Sequence, residues 1–126
     1  MQLQWDGARF ATMAFGTALI VASLVPASGP AGSAAAVAGP LGGVALDKLV
    51  HAAGFLVLSV LALRDVERRR WIIAASVGIV LAGAGIEIAQ IGIPGRTFEV
   101  ADFVADVVGV AAGLALLRWR QYITGT

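Results

Sequence analysis

The sequence has no cysteine, which removes disulfide frameworks and cysteine-ligated metal scaffolds from consideration. Charge is scarce too: 13% of the 126 residues are charged, against roughly 25% in a typical soluble domain. Amides are few and sixteen residues are glycine, so a globule of this size has too little polar surface to cover itself. An excess of positive charge is also missing. Nine bases nearly cancel eight acids, and the bases are scattered, which argues against nucleic acid as a partner. What is abundant is hydrophobicity, at 59% of residues, far too much for a disordered chain. These absences leave an integral membrane protein, and the question becomes where the few charges sit.

A helix needs about 20 apolar residues to cross the hydrocarbon core. No charge occurs between Arg9 and Asp47, a stretch too long for one span, and its character changes at Pro26. The first span is read over about 9–26. Val25-Pro26-Ala27 also resembles a small-residue cleavage site, but the segment is read as a true span. Residues 27–46, rich in Gly, Pro, Ala and Ser, predict an extracytoplasmic loop with a short helical turn around Ala34 to Ala38. Further spans are predicted at about 47–64, 71–91 and 100–118, the third ending before Pro94-Gly95. The apolar runs are continuous rather than alternating, so strands are not expected. The expected fold is all-α, a single domain over 1–126 forming a four-helix membrane bundle.

Arginine sets the orientation. Arg9, Arg64, Arg68, Arg69, Arg70, Arg118 and Arg120 fall on one side of such a bundle, and only Lys48 and Arg96 fall on the other. The positive-inside rule then places both termini and the Arg-rich second connection on the cytoplasmic side. Trp71, Trp119 and Tyr122 lie at that same level, as an aromatic belt would. Counting Asp6, Asp65 and Glu67, the inner side carries a net +4 and the outer side a net −3. A near-neutral total conceals that polarity.

The outer group is Asp47, Lys48, His51, Glu87, Gln90, Arg96, Glu99, Asp102 and Asp106. The topology brings these residues together, because the second helix starts, the third ends and the fourth starts on that side. Asp47 with His51, and Asp102 with Asp106, are spaced i,i+4; Glu87 and Gln90 are spaced i,i+3. Each pair therefore shares a helix face. At 1.5 Å per residue, Asp106 lies about 18 Å from Arg118 and is the deepest charge, while Glu87 lies about 24 Å from Trp71. A carboxylate near mid-membrane costs on the order of 3 kcal/mol, so these groups must face one another or a water-filled cleft. Gly109-x-x-x-Gly113, with Gly78, Gly83 and Gly85 on the third helix, lets the helices approach closely.

The series Asp47-Lys48-x-x-His51 with Phe55, Glu87-x-x-Gln90, Pro94-x-Arg96 and Asp102-x-x-x-Asp106-x-x-Gly109-x-x-x-Gly113 resembles the VanZ-like family, over roughly residues 47–113. The resemblance implies a small four-helix bacterial membrane protein associated with low-level resistance to the glycopeptide teicoplanin. One departure is Asp106, since the family often has Asn there; the acid adds negative charge to the deepest part of the cluster. The long Gly/Pro/Ala loop is a second departure.

Three roles fit the cluster. A purely structural lock is poorly rewarded, because polar pairs between membrane helices contribute only about 0.6 kcal/mol on average. A ligand site would place Lys48 and Arg96 on the anionic headgroup of a lipid or lipid-linked wall precursor. His51, Glu87, Gln90, Asp102 and Asp106 would then form a hydrogen-bonding wall, with Asp47 also among the ligand-binding residues. An enzyme would use His51 as general base, oriented by Asp47 or Asp106, with Glu87 as acid and Arg96 steadying an anion. Neither a G-x-S-x-G elbow nor a cysteine nucleophile is present to support that. A hard-metal variant would take His51, Glu87, Asp102 and Asp106 as ligands, but a single histidine and two nearby bases weigh against it. The expectation is therefore a headgroup-binding site without cofactor or metal, with an enzyme or an accessory subunit as the alternatives. The expected partners are the bilayer, a headgroup, and a membrane protein or a second copy of the chain.

Overall fold

A computed structural model of the chain describes residues 7–24, 39–95 and 98–125. They form four helices: α1 (Gly7–Ser23), α2 (Gly39–Leu63), α3 (Arg69–Gln90) and α4 (Val100–Thr124). No strand occurs among the described residues, as the continuous apolar runs predict.

Helix α2 begins at Gly39, not at Asp47, so the loop read over 27–46 is too long at its C-terminal end. Pro40 lies in the first turn, where a missing N–H costs nothing because those donors have no intrahelical partner. Loop-like composition here is compatible with a helix N-terminus. The turn expected around Ala34 to Ala38 lies outside the described residues.

The other ends follow local chemistry. The α2–α3 link is a tight turn in which Val66 N–H donates to the Leu63 carbonyl at 3.1 Å. Helix α3 ends with Ile93 N–H donating to the Gln90 carbonyl at 3.0 Å, and Gly95 then takes φ 78, a left-handed conformation suited to glycine. Asp102 lies in the first turn of α4, where its charge complements the helix dipole. Gly125 closes α4 at φ 69, its N–H donating to the Gln121 carbonyl.

The helices differ in the length of their apolar stretches among the described residues. The 22 residues of α3 and 25 of α4 reach about 33 and 37 Å at 1.5 Å per residue, against roughly 30 Å of hydrocarbon. Both are long and apolar enough to cross a membrane, whereas the apolar stretches of α1 and α2, Arg9–Ser23 and Lys48–Leu63, are shorter. The described residues form four helices, and spanning length and composition together are present in two of them.

The principal seam is between α2 and α4. Gly109 and Gly113 make it possible: a Cβ at Gly109 would stand 2.3 Å from the Ala52 carbonyl oxygen, and one at Gly113 would stand 2.0 Å from Ser59 Oγ. Phe55, Ile86 and Val110 are buried where α2, α3 and α4 meet, with Leu19 of α1 packed against them. Of the α3 glycines only Gly83 serves close approach, since Gly78 and Gly85 face open space.

The distribution of polarity is inverted relative to a water-soluble protein. The buried apolar side chains are Phe55, Leu63, Ile86 and Val110, while the buried polar ones are His51, Ser59, Glu87, Gln90, Asp102 and Asp106. Large apolar residues stand outward instead, Leu81 at 64%, Ile88 at 63% and Val100 at 63% exposure. An exterior of that kind suits lipid better than water.

Candidate functional site

The site forms where the beginning of α4 and the end of α3 meet the Lys48–Phe55 stretch of α2. Helical spacing carries His51 one turn beyond Asp47, and Asp106 one turn beyond Asp102, onto facing surfaces. His51 Nδ1–H donates to Asp106 Oδ1 at 2.9 Å, tying α2 to α4. The pair is enclosed, with His51 8% exposed and Asp106 fully buried.

Glu87 enters from α3 and is also fully buried. Its Oε2 accepts the backbone N–H of Glu99 at 3.3 Å, which anchors the start of α4 against α3. The other oxygens are less well provided for. Glu87 Oε1 and Asp106 Oδ2 are buried and have no hydrogen-bond partner. Orphaned buried acceptors of this kind are uncommon and costly. Donor atoms of His51, Glu87 and Asp106 lie within 4.8 Å of one another, so the three helices converge on one buried polar cluster. Gly83 forms part of its wall: a Cβ there would stand 2.8 Å from Asp106 Oδ2 and 3.1 Å from the Phe55 ring.

Lys48 lies at the mouth. Its Nζ pairs with Glu99 Oε2 at 2.5 Å and with Asp102 Oδ1. Two carboxylates thus oppose one ammonium, and the mouth is acidic on balance. Glu99 was counted among the outer charges, but its pairing with Lys48 cannot be read from spacing, because it precedes α4 and belongs to no helical face.

Gln90 is buried but faces elsewhere: its Nε2 donates to the Ser23 carbonyl at 2.9 Å, so it holds the end of α1 against α3. The site expected from three helices therefore has a fourth attached behind it. Asp47 lies on α2, but its side chain is outside the described part of the structure, and Arg96 lies outside the described residues altogether.

Two buried acids, an imidazole between helices and a chain of apolar exterior residues match what the motif series predicts, and the comparison with family profiles decides the matter. The VanZ/LLP1 profile matches residues 6–121, nearly the whole chain. The chain belongs to the VanZ/LLP1 family. No curated protein and no solved structure matches it. The family match reaches beyond the 47–113 core of the motif series, taking in α1 and the C-terminal half of α4. Family membership and two helices of spanning character both point to a membrane protein.

In chemical terms this VanZ/LLP1 site is rich in acceptors. Glu87 Oε1 and Asp106 Oδ2 can receive hydrogen bonds from hydroxyl or ammonium groups, or bind a cation. His51 is held in one orientation by Asp106, as a general base would be.

Proposed function

We propose that this VanZ/LLP1 protein is a multi-pass protein of the bacterial cytoplasmic membrane, with four spans and both termini in the cytoplasm. In this reading its extracytoplasmic polar chamber binds the headgroup of an anionic lipid or a lipid-linked wall precursor. Sugar or glycerol hydroxyls donate to Glu87 and Asp106, and the phosphate lies toward Lys48 at the mouth, with Arg96 as a second base for it. Holding such a headgroup is the route by which the protein would alter susceptibility to teicoplanin, an envelope-directed glycopeptide.

The observation that carries this reading is the pair of orphaned acceptors, Glu87 Oε1 and Asp106 Oδ2, enclosed among apolar helices. Leaving such groups unmatched costs about 1–3 kcal/mol each, more when charged, so a donor-bearing occupant would offset a real penalty. Helix registration alone needs much less than this.

The test is lipid retention. The purified protein, reconstituted in phosphatidylcholine vesicles doped with phosphatidylglycerol, is re-extracted and its bound lipid quantified. Enrichment of phosphatidylglycerol over its bulk fraction is expected for the natural sequence. Arg96→Ala and Asp106→Asn should each reduce the enrichment. Equal retention by Arg96→Ala would sink the reading.

A second reading, a membrane-embedded hydrolase or transferase, is favoured by one observation: the 2.9 Å His51–Asp106 hydrogen bond beside Glu87. Here His51 acts as general base and Glu87 as acid. Turnover of a lipid phosphate ester that survives both His51→Gln and Glu87→Gln would dismiss it.

A further inference from the structure

Two fully buried carboxylates converge with a buried imidazole, and each carboxylate keeps one oxygen with no hydrogen-bond partner. Bare, that arrangement is expensive. Two acids desolvated side by side repel each other, and one imidazole, hydrogen-bonded to Asp106, cannot balance both. Lys48 does not relieve them, because it is engaged by Glu99 and Asp102 at the mouth.

We infer that His51, Glu87 and Asp106 form a binding site for a divalent metal ion. A cation of charge +2 balances the two carboxylates and satisfies both orphaned oxygens at once, whereas a water could donate to both oxygens but would leave the charge uncompensated. The donor atoms lie within 4.8 Å of one another. Ligands about 2.0–2.2 Å from a shared ion sit somewhat closer together than this, and the side-chain torsions of two carboxylates supply the difference. One nitrogen and two carboxylate oxygens suit the borderline Zn²⁺ and the harder Mn²⁺. Three protein ligands leave at least one coordination position open.

Gly83 packs directly against the site: a Cβ there would stand 2.8 Å from Asp106 Oδ2 and would push that ligand aside. The site also explains why an acid at position 106 is tolerated so deep in the bundle. The inference stands without the headgroup reading, since the metal alone is the probe. The two readings compete for the same oxygens of Glu87 and Asp106: with the ion in place, a headgroup would reach the site only through the open coordination position.

The test uses the full chain in detergent, freed of any affinity tag, stripped with chelator and titrated with Mn²⁺ or Zn²⁺. One ion per chain should remain after desalting, and the melting temperature should climb with metal concentration. Glu87→Gln and Asp106→Asn should each weaken binding by at least the roughly 10–100-fold that loss of an outer hydrogen-bond partner costs a metal site. Ser76→Ala, on the far part of α3, should bind as the natural sequence does. A second measurement needs no variant. His51 is the sole histidine, so Mn²⁺ bound here should show imidazole-nitrogen coupling in electron spin-echo spectra. Absence of stoichiometric uptake, uptake indifferent to both carboxamide substitutions, or bound Mn²⁺ without nitrogen coupling would each overturn the inference. Loss of phosphatidylglycerol enrichment with metal binding intact would count against the headgroup reading alone.

Discussion

Gly109→Ala concentrates the packing argument in one methyl group. Its Cβ would stand 2.3 Å from the Ala52 carbonyl oxygen and 3.0 Å from Phe55 Cβ. A carbon normally approaches a carbonyl oxygen to about 3.3–3.6 Å, so α2 and α4 must separate by roughly 1 Å. The clash is with backbone, which cannot rotate away. Overpacking of this kind costs about 1–3 kcal/mol. The separation also stretches the His51–Asp106 hydrogen bond, since Asp106 lies one turn before Gly109 and His51 adjoins Ala52. Losing it adds about 0.6–1.7 kcal/mol in a membrane protein. Against this stands a gain of up to about 1 kcal/mol in helix propensity. The net expectation is a loss of about 2 kcal/mol. Gly78→Ala is the matched control, because a Cβ there meets nothing within 4 Å; it should be neutral or slightly stabilising. Reversible unfolding in mixed micelles, followed by fluorescence of the three tryptophans, reads both variants. A Gly109→Ala protein as stable as Gly78→Ala would refute the seam described here.

Three further outcomes follow from the same contacts. Gly113→Ala should destabilise through its 2.0 Å clash with Ser59 Oγ, and adding Ser59→Ala should recover part of the loss, because the Leu56 carbonyl at 3.0 Å still objects; a double-mutant cycle in unfolding free energy should give about 0.5–3 kcal/mol of coupling. Gln90→Leu removes the donor to the Ser23 carbonyl, so stability should fall by about 1 kcal/mol and amide exchange should quicken at the end of α1 rather than in α4. Lys48→Met leaves Glu99 and Asp102 without their shared base. The cost in micelle unfolding should be about 1–3 kcal/mol, below that of a fully buried pair, because Lys48 and Glu99 are partly exposed. Lys48→Arg should restore most of it.

The sequence makes α3 and α4 legible because their apolar runs are bounded by strong punctuation: the Arg68–Arg70 run, Pro94-Gly95 and Arg118. The start of α2 is not legible in the same way. Glycines at 39, 42 and 43 read as loop because glycine costs about 1 kcal/mol in a helix, yet the backbone there is helical. For the site, spacing assigns faces but not rotations. It places His51, Glu87 and Asp106 toward a common interior, and the structure brings those three together. It does not choose partners. That Lys48 takes Glu99 and Asp102, or that Gln90 turns to Ser23, depends on how far each helix is rotated and on the direction of α1. The glycines show the same division: Gly109 and Gly113 announce themselves by their four-residue spacing, while the difference between Gly83 and its neighbour Gly85 appears only once Asp106 and Phe55 are in place.

The proposed arrangement sets the polar cluster toward the outer side of a membrane-spanning bundle. It is tested most directly by labelling single cysteines, for which a chain without cysteine is an ideal background. Phe98→Cys lies in the exposed approach to α4 beside the site, and Glu67→Cys lies in the exposed α2–α3 link. In intact cells a membrane-impermeant maleimide should label Phe98→Cys and reach Glu67→Cys only after permeabilisation. Labelling of both from outside, or of Glu67→Cys alone, would contradict the account.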